Sequence, residues 1–160
     1  MKKILVAIDE SEYALKAVDF AAMLLGGLGD VQITLFHVLP DLPPMFWDDG
    51  HILDEKERVS RNQVIGKWKE NQQLKLAPIF KAATELLVRR GFRKDRIETK
   101  SEVESLDVVA DCIVKEARAG GYQMLVMGRH GYSKTKRLIM GSVTNSVVTN
   151  GSGLAVCVVE

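Results

Sequence analysis

The stretch Met127-Gly128-Arg129-His130-Gly131, separated by nine residues from Gly141-Ser142-Val143-Thr144, decides how this chain is read. An apolar run from Met124 to Met127 precedes it, and Val143, Val147 and Val148 follow with helical spacing, so the order is strand, loop, helix start. That order outlines a phosphate cradle. Glycine lets backbone N–H groups approach an anion with no Cβ in the way and tolerates positive φ, while a helix N-terminus offers unpaired N–H donors and the positive end of its dipole. The hydroxyls of Ser142 and Thr144 are candidate donors to the same anion. A Walker A loop requires Gly-x4-Gly-Lys-Ser/Thr and a dinucleotide fingerprint Gly-x-Gly-x-x-Gly, and neither spacing occurs here.

Outward from the cradle, helices and strands alternate. Lys3 to Ile8 reads as a strand buried on both faces, and Asp9-Glu10-Ser11 ends it with a helix N-cap. A helix is predicted from Tyr13 to Leu25, where Ala14, Ala17, Val18, Ala21, Ala22 and Leu25 keep i, i+3, i+4 spacing before Gly26-Gly27. Val31 to Leu39 is a second strand, stopped by Pro40. Prolines and acids around Met45-Phe46-Trp47 then predict a flexible loop over residues 40–60. Arg61 to Arg90 reads helical, with Pro78 either starting a new helix or kinking a long one. Arg96 to Lys100 is a weak third strand, and Ser105 to Ala119 an amphipathic helix. Gln123 to Met127, Ser142 to Asn150 and Leu154 to Val159 complete the series as strand, helix and strand.

This alternation predicts a single α/β domain over residues 1–160: an open, mainly parallel five-stranded sheet with helices on both faces, Rossmann-like in layout. Ligands of such sheets bind beyond the carboxyl ends of the strands, where Asp9, Val38 and Gly128 all fall. Composition sets the outer limits. The chain has 160 residues, 46% hydrophobic and 27% charged, enough for one core. Its formal net charge of +1 argues against a general nucleic-acid surface. The apolar run after Met1-Lys2-Lys3 is too short for a signal peptide, and no stretch approaches the roughly 20 residues of a membrane span, so a cytoplasmic location is expected. Cys112 and Cys157 sit in apolar patterns and read as buried reduced thiols.

The Gly-x2-Gly-x9-Gly-Ser pattern resembles the ATP-binding motif of universal stress proteins. Three further features fall in that family's order: Val6-Ala7-Ile8-Asp9-Glu10-Ser11, Phe36-His37-Val38 and Leu125-Val126-Met127-Gly128. The resemblance spans essentially the whole chain. It implies a strand order of 3-2-1-4-5 and ATP carried with Mg as the ligand. It implies nucleotide-binding residues at Ala7, Asp9, Val38, Met127, Gly128, Arg129, His130, Gly131, Gly141, Ser142, Val143 and Thr144, with backbone groups at Val38 reading adenine. A homodimer through the 154–159 edge strand is expected, as is a regulatory or signalling role, with an unidentified protein partner as a further option. Two positions depart from the family: Leu154-Ala155 replaces a common Cys-Pro, and Gln123 an acidic residue. The first bears on dimer geometry more than on the cradle.

Several candidates carry a plainer reading beside the functional one. Asp9 suits a ribose hydroxyl or a phosphate-bound Mg, and equally a helix entry shared with Ser11. Arg129, His130, Lys134, Lys136 and Arg137 have charge to offset a triphosphate, or are solvated loop residues. His37 reads as a packing or hydrogen-bonded residue, since no neighbouring Ser, Cys or Asp completes a triad. Asp48, Asp49 and His51 crowd metal-capable atoms together, but an acidic loop beside prolines produces that without a metal. No catalytic residue is assigned. The expectation is no dedicated enzyme, at most slow ATP hydrolysis or autophosphorylation, with a nucleotide-free stress scaffold as the alternative.

Overall fold

The structure, a computed structural model, describes residues 1–39, 53–103, 109–131 and 140–160. Five strands form one parallel sheet: β1 (Lys2–Ala7), β2 (Val31–Leu39), β3 (Ile97–Val103), β4 (Met124–Gly128) and β5 (Ala155–Val159). Their order is β3-β2-β1-β4-β5, with every pairing parallel. Among the described residues four helices connect them: α1 (Glu12–Leu25), α2 (Glu55–Arg89), α3 (Val109–Ala119) and α4 (Ser142–Asn150).

Strand alternation divides the core into two layers. Ile4, Val6 and Ile8 of the first strand region face α1 and the C-terminal part of α2, where Val18, Ala21, Ala83 and Leu87 close the layer. Leu5 faces the opposite side with Phe36, Leu125 and Met127, under Ile113 and Val114 of α3 and Val147 of α4. The period of two in a strand sends successive side chains to opposite faces, so one short apolar run feeds both layers. Leu5 and Leu35 are 0% exposed, and truncating either to alanine should destabilise the fold by about 2–5 kcal/mol.

The long α2 differs from its sequence reading. It begins at Glu55, so residues 55–60 of the expected 40–60 loop are helical. The cause is a reciprocal cap: Glu57 N–H donates to Asp54 Oδ1 at 2.8 Å, and Asp54 N–H to Glu57 Oε2 at 2.9 Å. The helix also runs through Pro78 as a single element rather than restarting there. Leu76 on one side of the proline and Ala83 and Leu87 on the other are all buried, and this shared burial offsets a penalty of about 3 kcal/mol for an internal proline. The expected start of α3 at Ser105 lies outside the described residues, as do Met45-Phe46-Trp47, Asp48, Asp49, His51, Lys134, Lys136 and Arg137. No helix of the described residues is long and apolar enough to cross a membrane.

Candidate functional site

Strand order reverses between β1 and β4, and the crevice beyond their carboxyl ends holds a cavity of about 300 Å³. That volume is at the lower end for small-molecule sites. Eleven of the twelve residues singled out from sequence line it: Ala7, Asp9, Val38, Met127, Gly128, His130, Gly131, Gly141, Ser142, Val143 and Thr144. The ends of three strands and the first turn of α4 therefore meet around one space. Parallel pairing of β1 with both β2 and β4 is what aligns those ends.

One end of the cavity is formed by the N-terminus of α4. Gly141 is the N-cap of α4 and provides no side-chain hydrogen bond, and the first turn-closing bond runs from Asn145 N–H to Gly141 O at 2.8 Å. The N–H groups of Ser142, Val143 and Thr144 precede that bond, at the positive end of the helix dipole. Gly141 N–H itself donates to Arg129 O at 2.9 Å, which closes the loop onto β4.

The three glycines serve close approach, and none of them has the positive φ that glycine tolerates best. A Cβ on Gly128 would lie 2.7 Å from Tyr13 Cβ, so α1 packs directly on the end of β4. On Gly131 it would stand 2.8 Å from Asp9 Oδ2, and on Gly141 only 3.2 Å from Arg129 O.

Two site residues differ from expectation. Thr144 is buried, and its hydroxyl donates to Gly128 O at 2.9 Å, so its one proton is committed to the fold rather than to an anion. Arg129 is the one residue of the twelve that does not line the cavity: its guanidinium pairs with Glu160, and its N–H donates to Val159 O at 2.7 Å. His130 lines the cavity, while Arg129 beside it is turned to the end of β5.

Asp9 has a role in the fold. Its Oδ1 accepts from Ser11 N–H at 2.9 Å and from the Ser11 hydroxyl, while Ser11 Oγ accepts from Ala14 N–H at 3.3 Å as the cap of α1. His37 Nδ1 lies 2.8 Å from Ile8 O. A carbonyl only accepts, so Nδ1 carries the proton and the ring holds the turn that presents Asp9. Sequence reasoning missed the apolar wall contributed by Val109 and Ile113 of α3, together with Ile8, Ala14 and Phe36. Their i, i+4 and strand spacings were legible, but periodicity does not separate a core-facing residue from one lining a cavity. Among the described residues no group of three or more His, Cys, Asp or Glu is arranged to hold a metal ion.

The family model of the Universal stress protein family matches residues 1–153. This chain belongs to the universal stress protein family. It is 29% identical to the universal stress protein YxiE of Bacillus subtilis (strain 168) over 152 residues, which is 91% of this chain and 90% of that protein. Among solved structures, the protein MJ0577 matches with a TM-score of 0.70 at 25% identity, covering 99% of this universal stress protein and 94% of that chain. Two other structures of the same fold carry nucleotides. A universal stress protein in complex with cAMP has a TM-score of 0.62 at 19% identity, over 99% of this chain and 96% of its own. The protein from Archaeoglobus fulgidus in complex with dAMP has a TM-score of 0.55 at 20% identity, over 100% and 98%.

Proposed function

We propose that this universal stress protein binds an adenine nucleotide, ATP with its Mg, in the crevice beyond β1, β2 and β4, and acts as a nucleotide-responsive regulatory module. The observation that carries this reading is the glycine-capped first turn of α4, whose residues line the same cavity as Asp9 and Val38. Phosphates fit the N–H groups of 142–144, and the glycines at 131 and 141 let the loop close on Asp9 and on the Arg129 backbone beside them. The base fits the apolar wall of Val109 and Ile113 near the backbone of Val38. The cAMP and dAMP complexes of proteins sharing this fold support the same ligand class. Mg would ride on the phosphates, with Asp9 as the nearby carboxylate.

Slow turnover at most fits the lining. Asp9 Oδ1 is held by Ser11, and His37 Nδ1 by Ile8 O, so both groups already serve the backbone. Self-association through β5 fits the contrast between the two sheet edges. The β3 edge carries Glu98, Lys100 and Glu102, whereas Ala155–Val159 has no charged residue to discourage pairing with a second copy.

Mass spectrometry of small molecules released by denaturing the purified protein, followed by calorimetric titration of the stripped protein, tests the ligand. Recovery of an adenine nucleotide and saturable ATP binding is the expected result. Absence of both, with millimolar Mg-ATP in the titration, would leave the nucleotide-free scaffold as the reading.

A further inference from the structure

Tyr13, in the first turn of α1, stands outside every nucleotide-motif position yet touches two residues of the glycine loop. Its ring meets that of His130 edge to face, with centroids 5.3 Å apart and planes at 64°. Its Cβ and carbonyl lie so close to Gly128 that any side chain there would stand 2.7 to 2.9 Å from them. The Lys16 ammonium lies 5.1 Å from the centre of the same ring and adds a positive charge on this side of the loop. The turn carrying Tyr13 is itself fixed, because Ser11 caps α1 while holding Asp9. Gly128 and His130 both line the cavity, so a rigid first turn of α1 bears on the loop from outside.

We infer that Tyr13 is a positioning residue of the phosphate end of the site: by holding the His130 ring, it sets affinity for the polyphosphate chain and not for the adenosine part of the ligand. This rests on the nucleotide reading above. Edge-to-face rings favour one relative orientation, because the electropositive rim of one faces the negative face of the other. Removing the phenol ring frees His130 to rotate, and the ordering of that side chain is then lost to binding instead of being pre-set by the fold. The Tyr13 hydroxyl has no part in this packing, so phenylalanine should serve as well.

The test is calorimetric titration of ATP and of adenosine into the wild type, Tyr13→Ala, Tyr13→Phe, His130→Ala and the Tyr13→Ala/His130→Ala double variant, each checked for folding by circular dichroism. Tyr13→Ala should weaken ATP on the order of fivefold, the weight of one aromatic pair, and leave adenosine unchanged. Tyr13→Phe should bind as the wild type. The double variant should bind ATP no worse than His130→Ala alone, because Tyr13 acts through that ring. Equal losses for ATP and adenosine, an unaffected Tyr13→Ala, or a further loss in the double variant would each overturn the inference while leaving nucleotide binding in place. A wild type that binds neither ligand would overturn both.

Discussion

Thr144 donates its hydroxyl proton to the carbonyl of Gly128, 2.9 Å away and sixteen residues earlier in the chain. This bond joins the first turn of α4 to the last residue of β4, so the helix N-terminus and the strand end are held as one unit. Gly141 N–H to Arg129 O reinforces the same junction. The end of the cavity at the start of α4 is thus tied to the end of β4 by two hydrogen bonds.

Thr144→Val keeps the shape and removes a donor to a buried carbonyl. It should destabilise the fold by about 1–3 kcal/mol, whereas Thr144→Ser should retain most of the bond. Urea denaturation of the pair measures this, and equal midpoints for valine and serine would refute the assignment.

Gly141→Val places a branched side chain where Arg129 O, His130 Cα and Gly131 N lie within 3.2 to 3.5 Å of the new Cβ. ATP affinity should fall at least tenfold, about 1.4 kcal/mol or more. Titration of the folded variant decides the matter: unchanged affinity would remove Gly141 from the phosphate site.

Mg-ATP at roughly 100 times its Kd should stabilise the native state by about 2.7 kcal/mol, which for a domain of this size raises Tm by roughly 5–11 °C. Ser142→Ala should shrink the shift by removing one donor. GTP should do less than ATP if the Val38 backbone reads the base. ADP release in the same samples should stay well below the roughly 1–100 s⁻¹ of kinases, and rapid multiple turnover would point to an enzyme instead.

Val156→Lys introduces a charge on the β5 edge and should shift the protein toward monomer. Light scattering distinguishes the outcomes. A monomeric wild type would end the dimer proposal, and a folded variant that remains dimeric would move the interface elsewhere.

Burial pushes the Cys157 thiol above its ordinary pKa, which lowers the thiolate fraction at any given pH below that point. Cys112 is on the buried face of α3. Both should therefore react with iodoacetamide more slowly than free cysteine at pH 8 and accelerate on unfolding, since the thiolate is the nucleophile. Labelling of Cys157 in the native protein as fast as in the unfolded one would contradict its partial burial.

Local patterning was enough to read most of the fold. Val31–Leu39 and Ser142–Asn150 begin and end where β-branched runs, Pro40 and the glycines at 141 and 151 place them, because strand and helix periods are properties of adjacent residues. The order of the five strands was implied by likeness to a family, since periodicity carries no information about which strand lies beside which. The start of α2 was missed although Asp54 and Glu57 spell its cap, because the prolines and acids upstream drew the loop too far. Within the site, sequence identified the glycines but not what each one accommodates. Gly128 yields to Tyr13, Gly131 to Asp9 and Gly141 to the strand-end loop, contacts between segments more than a hundred residues apart for the first two. The commitment of the Thr144 proton, the turn of Arg129 toward Glu160 and the Val109–Ile113 wall were likewise decided only in three dimensions. Hydrogen-bond partners and cavity walls depend on which chain-distant atoms come within about 3 to 4 Å, and only packing of the two layers on the sheet determines that.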